Sequence, residues 1–164
     1  MQTGSFYTNK FLQLVRHPVK FRLFLLGKLP SAFFSGVRVK YIDEQKAVVT
    51  VPYKWFSQNP FKSTYFACLA MAAEMSTGLL GLLHTHKKVP AISMLVVALE
   101  AQYFKKAAGV TIFTCEEGAL IHDTIEEAIR TGEGKSFRAK SVGVNTKGEL
   151  VAEFFITWSF KARK

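Results

Sequence analysis

NPFKSTYFACLAMAAEMSTGLLGLL, residues 59–83, sets one carboxylate, Glu74, in the middle of an otherwise apolar stretch of helical composition. From Tyr65 to Leu83, Glu74 is the only side chain charged at neutral pH. A helix that is apolar all round is buried, in a protein core or in a bilayer. A carboxylate carried into such surroundings is paired, protonated or functional, because an unpaired buried charge is costly. Three readings therefore compete. Glu74 is a structural residue that reaches a backbone group or a cation, or the segment spans a bilayer, which 19 mostly apolar residues can just do, or a core helix carries a site residue. The central acid opposes the bilayer span, and Gly78 and Gly81 oppose it more weakly. The segment is read as a soluble core helix with Glu74 as its site residue.

The whole chain agrees with that choice. Its 164 residues, 49% hydrophobic and 21% charged, suit one soluble domain with a substantial core. Cys68 and Cys115 lie far apart in apolar runs and read as small buried hydrophobes, so a reducing cytoplasm is the expected compartment. Lys10, Arg16, Lys20 and Arg22 interrupt every apolar run that could serve as a cleaved export signal. The net charge of +10 favours phosphates, nucleic acid or anionic lipid as partners. No helix-turn-helix, zinc-finger or ribonucleoprotein motif accompanies it, so nucleic acid is not an expected partner.

Residues 5–34 read as two or three helical pieces punctuated by Pro18 and Pro30, an N-terminal arm that either covers one edge of the domain or rests on a membrane surface. Val37 to Ile42 and Ala47 to Val51 are β-prone runs joined by Asp43-Glu44-Gln45-Lys46, a hairpin. The long helix follows, with Ser63 or Thr64 as its expected N-cap, and His84 to Pro90 is a polar loop. Further strands are expected from Ile92 to Phe104, Val110 to Cys115, Lys135 to Val144 and Leu150 to Phe160, with a short helix between Gly118 and Gly132 carrying Ile121, Ile125, Ala128 and Ile129 at helical spacing. Phe154, Ile156, Trp158 and Phe160 alternate with Phe155, Thr157 and Ser159, giving the last strand one strongly apolar face. One long apolar helix among six hairpin-connected strands predicts an α+β domain in which a curved antiparallel sheet wraps the helix.

The layout of residues 35–162 resembles the hotdog fold, and the segment from Asn59 resembles the active-site motif of the phenylacetyl-CoA-type acyl-CoA thioesterases. That motif is Asn, two variable residues, Gly, two variable residues, His-Gly-Gly, then an acidic residue nine positions after the His. Asn59 stands at the Asn and Glu74 at the acid, nine residues after Tyr65. Lys62 replaces the first Gly, Tyr65 the His, and Phe66 and Ala67 the paired Gly. The segments AQYFKKA, IEEAIRTGE and ITWSFKAR resemble an uncharacterised hotdog-like family labelled as thioesterase. The chain is thus read as a helical arm over 1–34 and a hotdog domain over 35–164, and the resemblance implies thioester hydrolysis at a homodimer interface, in a dimer or a tetramer. It implies Glu74 as base or nucleophile, Asn59 orienting the water or the thioester carbonyl, and the N–H groups of Phe66 and Ala67 as oxyanion donors.

The chemistry suits those residue types. Free N–H groups at a helix N-terminus can hold the oxyanion that forms during thioester hydrolysis, and backbone donation survives the replacement of Gly. Phe66 narrows the approach that Gly would leave open. Apolar surroundings raise the pKa of Glu74 toward the range of a useful base. Phe66 and Glu74 are eight residues apart, roughly 12 Å along a helix at about 1.5 Å rise per residue, so one thioester cannot touch both in the same chain. A donor and a base serving one site must then come from two subunits related by a two-fold axis. Asn59 before Pro60 reads equally well as a turn residue.

The expected substrate is an acyl-CoA or acyl-carrier thioester, coenzyme A entering as part of the substrate and not as a cofactor. Tyr65 and the cations Lys62, Lys105, Lys106, Arg138 and Lys140 are its candidate binders. His84 and His86 form a His-x-His pair without a convincing third ligand, so no metal is expected. His122 reads as polar surface. The 15 Phe residues allow either a packed core or an acyl tunnel, and a protein that binds acyl or lipid-like ligands without hydrolysing them is the alternative function.

Overall fold

Pro18 and Pro30 cut the N-terminal segment into three helices, α1 (Gln2–Arg16), α2 (Pro18–Lys28) and α3 (Pro30–Phe34), because proline suits a first helical turn and no interior one. The structure is a computed structural model that describes residues 2–163. The chain continues through β1 (Arg38–Ile42), β2 (Ala47–Val51), a single turn of 3₁₀ helix (Trp55–Ser57), α4 (Phe66–Thr85), β3 (Ile92–Tyr103), β4 (Thr111–Cys115), α5 (Gly118–Thr131), β5 (Lys135–Asn145) and β6 (Leu150–Ala162). Every element expected from the sequence is present within a few residues of its expected bounds.

The six strands form one antiparallel sheet in the order β1-β2-β4-β5-β6-β3. Irregularities at Val39/Tyr41, Val96/Ala98 and Gly143/Val144 break the ladders, and such bulges bend strands and increase twist. The sheet curls around α4, which is the hotdog arrangement that the resemblance implies. The alternation along β6 places Phe154, Ile156, Trp158 and Phe160 inward as expected. At about 1.5–3 kcal/mol for each large apolar side chain fully buried, Phe113, Phe154, Ile156 and Phe160 make this inner face a main source of stability.

Helix α4 is long and apolar enough to cross a membrane, yet 12 of its 20 residues are buried inside the chain itself. Its attachment is also polar, since Ser76 Oγ donates to the Ala73 carbonyl at 2.7 Å and lies 2.8 Å from Ser141 Oγ of β5. Two expectations about its ends need correction. The N-cap is Tyr65 without a side-chain hydrogen bond, because the Ser63 hydroxyl donates to Asn59 Oδ1 at 3.2 Å and the Thr64 hydroxyl to the Ala107 carbonyl at 3.0 Å. The C-terminal end runs on to Thr85, whose hydroxyl donates back to the Gly81 carbonyl at 2.9 Å, so the polar loop starts at His86.

The arm covers one edge of the domain, one of its two expected roles. Phe11, Leu12, Val15, Phe21 and Leu25 join the main core. Arg16 donates twice to the Ile42 carbonyl, at 3.0 and 2.8 Å, and Arg22 donates to the carbonyls of Val37 and Phe33 while its guanidinium lies 3.8 Å from the Phe33 ring centroid. Arg16 thereby ties α1 to the end of β1, and Arg22 ties α2 to α3 and to the residue before β1.

Candidate active site

The loop before α4 folds around Asn59. Its Oδ1 accepts from the N–H of Phe61 at 3.0 Å, the N–H of Ser63 at 3.3 Å and the Ser63 hydroxyl. This is an Asx turn, and it fixes the chain just before the helix starts. Lys62, at the motif's first Gly, has φ 58°, the left-handed region that favours glycine. The local geometry thus explains why a Gly stands there in the motif.

In the first turn of α4 the N–H groups of Cys68 and Leu69 both donate to the Tyr65 carbonyl. Those of Phe66 and Ala67 have no acceptor among the described residues. Phe66 lines a cavity of about 830 Å³ together with Asn59, Tyr65, Tyr103, Phe104, Lys105 and Lys106, among others, whereas Ala67, next in the helix, is not part of that lining. Tyr65 and Phe66 meet edge to face with centroids 4.9 Å apart, and the 58% exposed Phe66 ring stands at the mouth. Lys106 donates to the Phe61 carbonyl at 3.1 Å, and Lys105 pairs with Glu149 at 2.6 Å on the exposed rim.

Two turns further along α4, Glu74 lies in a separate cavity of about 290 Å³. Its lining comes from α4 (Met75, Gly78, Leu79, Leu82), from Met94 and Trp158 of the sheet, and from Phe21, Phe24 and Leu29 of the arm. Among the described residues the Glu74 carboxylate has no hydrogen-bond or ion-pair partner, and burial pushes its pKa above the usual carboxylate value. The nearby indole N–H is no candidate, since Trp158 Nε1 donates to Thr77 Oγ1 at 2.9 Å. Gly78 makes this packing possible: a Cβ there would stand 3.0 Å from the Trp158 ring and 3.2 Å from Glu74 Oε1. A structural Glu held by a cation or a backbone group is thereby ruled out within the described chain.

The remaining candidates fall elsewhere. Residues paired across an antiparallel ladder share a sheet face. Arg138 is opposite Thr157, and Lys140 is opposite Phe155, so both project from the face away from α4. Each meets a carboxylate there, Arg138 bidentately with Glu100 at 3.0 and 3.1 Å and Lys140 with Glu153 at 2.7 Å. Within one chain they do not join Lys105 and Lys106. His84 and His86 also separate, His84 packing its ring against His122 and His86 against Phe11. Cys68 and Cys115 are buried free thiols, and burial pushes Cys115 up to about 12, so it is not a nucleophile.

Sequence reasoning missed Tyr103, Phe104, Trp158 and the arm's Phe21 and Phe24 as site residues. The inward position of Trp158 was readable from the period-2 alternation of β6. The arm residues carried no such signal, because their place at Glu74 depends on how α2 docks.

No protein-family model matches the sequence, and no curated protein matches it. Solved structures do. They include a protein of unknown function from Pseudomonas aeruginosa called a probable thioesterase, with TM-score 0.74 and 19% identity over 89% of this chain and 97% of that one. A protein of unknown function from Chlorobaculum tepidum gives TM-score 0.73 and 15% identity over 95% and 94%. A thioesterase from Haemophilus influenzae gives 0.61 and 12% over 85% and 88%. At these identities the likeness establishes the fold, an α+β hotdog shared with proteins called thioesterases.

Proposed function

We propose that this chain hydrolyses acyl thioesters of coenzyme A or an acyl carrier, at two sites in a homodimer. The observation that carries the reading is Glu74, an unpartnered carboxylate with a raised pKa in an apolar cavity, at the acidic position of the thioesterase motif. Glu74 takes a proton from water, and the water oxygen attacks the thioester carbonyl carbon. The carbonyl oxygen becomes an oxyanion held by the N–H groups of the partner subunit's Phe66 and the partner subunit's Ala67. Collapse breaks the carbon–sulfur bond, the thiolate takes the proton held by Glu74, and a carboxylic acid and a free thiol leave.

Phe66, Ala70, Glu74 and Leu82, four of the less buried residues of α4, run along one face with the buried Gly78 between the last two, which suits a second α4 packed alongside. Lys105 and Lys106, which line the donor cavity, supply positive charge for coenzyme A phosphates, and Lys62 adds to it from the loop before α4. Asn59 acts mainly by holding the loop, with its side-chain amide group left to orient substrate. The free buried thiols suit a reducing cytoplasm.

Free thiol release from a panel of acyl-CoA substrates tests the proposal. Glu74→Ala should lower kcat by about 100-fold or more, in the usual range for removal of a general base. Absence of turnover, or equal turnover by Glu74→Ala and wild type, would refute it. One observation favours a second reading: two aromatic rings, Tyr65 and Phe66, pack edge to face where the motif has His-Gly. A non-hydrolysing acyl binder would carry ligand visible by native mass spectrometry and release no thiol.

A further inference from the structure

The first 42 residues carry seven of the 22 Lys and Arg and none of the 12 Asp and Glu. Within this segment α2 is apolar on two opposite faces. Phe21 and Leu25 face the core, while Val19, Leu23 and Leu26, on the far side of the helix, are 61%, 63% and 42% exposed. A helix with an apolar outer ridge needs cover from something. Beside the ridge runs a groove of about 500 Å³ between α2 and β1, which Val19 and Leu23 line together with Arg22, Arg38 and Lys40. Among the described residues, Lys20, Lys28, Arg38 and Lys40 have no carboxylate within ion-pair distance.

We propose that α2 lies on an anionic lipid bilayer, with Val19, Leu23 and Leu26 inserted at the level of the headgroups and the surrounding cations against lipid phosphates. An apolar ridge among cations matches that surface in both hydrophobicity and charge. A second copy of the chain does not match it: a two-fold contact would set ridge on ridge and also cation on cation, with no acid in the segment to relieve the repulsion. Nucleic acid would meet the cations and leave the ridge uncovered. The docked helix is the one whose Phe21 and Phe24 line the Glu74 cavity, so the bilayer would stand next to that cavity.

Vesicle co-sedimentation tests this without reference to turnover, so its outcome is independent of the proposed reaction. The full chain should sediment with phosphatidylcholine vesicles containing phosphatidylglycerol and stay in solution with phosphatidylcholine alone, and added salt should weaken binding. Leu23→Asp with Leu26→Asp should reduce binding at least tenfold with an unchanged circular dichroism spectrum. Lys20→Glu with Lys40→Glu, which alters only exposed positions, should reduce it by at least about 25-fold, at roughly fivefold for each cation lost before the added acids repel the surface. No sedimentation with anionic vesicles at low salt, or equal binding by wild type and the lysine variant, overturns the proposal. So does a leucine variant that binds vesicles normally while its oligomer dissociates, which would make the ridge a contact between copies.

Discussion

Glu74 and Lys62 are each held in a state that their chemistry resists, and each state has a measurable consequence. For Glu74 the cause is burial without a partner, which raises the pKa of the folded state above that of the unfolded chain. The folded state then binds the proton more tightly, so this group's contribution to stability is present below the unfolded pKa and is lost as pH rises through the raised one. Glu74→Gln stays neutral at every pH. It should melt several degrees above wild type near pH 8 and close to wild type near pH 4, as read by thermal scans; an equal difference at both would mean that burial is not the cause. For Lys62 the strain is conformational: a left-handed residue other than Gly costs roughly 1–2 kcal/mol, partly offset by the roughly 0.5–1 kcal/mol entropy cost of Gly. Lys62→Gly should therefore stabilise the fold by about 0.5–1 kcal/mol in urea titrations. If Lys62 also meets a coenzyme A phosphate, the same variant raises KM and leaves kcat unchanged.

At the scale of elements, the arm is held to the domain by few contacts of high quality. Arg22 makes two hydrogen bonds to carbonyls and lies over the Phe33 ring, whereas the Lys20 side chain, on the same helix, has no acceptor among the described residues. Arg22→Ala should cost about 1–3 kcal/mol and Lys20→Ala under about 0.5 kcal/mol, by equilibrium unfolding. Why α2 docks there was not legible in the sequence, because carbonyl acceptors such as those of Val37 and Phe33 leave no trace in residue identities. Strand and helix positions were legible, since periodicity records which face is buried: Ile121, Ile125 and Ala128 are fully buried on α5, and Gly132, at φ 70°, ends it. The helix N-cap was misread for a related reason. Ser63 and Thr64 have the right chemistry, but the tertiary contact with Ala107 and the turn at Asn59 use their hydroxyls first. The spacing from Asn59 to Glu74 singled out two residues that the fold sets beside two separate cavities. The separation of Arg138 and Lys140 from both was not legible, because a one-residue register choice decides which sheet face a strand residue occupies.

At the scale of the molecule, the two halves of the proposed chemistry lie in separate cavities, one at the start of α4 and one around Glu74. The long edge strand β3 leaves one backbone edge unpaired and exposes Leu95, Val97 and Leu99, a surface that a second copy would cover. If the base of one subunit works with the donors of the other, two inactive variants must rescue each other. Glu74→Gln removes the base and keeps the donors. Phe66→Pro removes a donor N–H and keeps the base; proline suits this first helical position, and Tyr65 before it already has the extended ψ of 134° that a following proline requires. Each variant alone should be nearly inactive. After subunit exchange about half of the dimers are mixed, and each mixed dimer has one intact site of two, so turnover should return to about one quarter of wild type. If donor and base served a site within one chain, every site in the mixture would carry a defect and no activity would return.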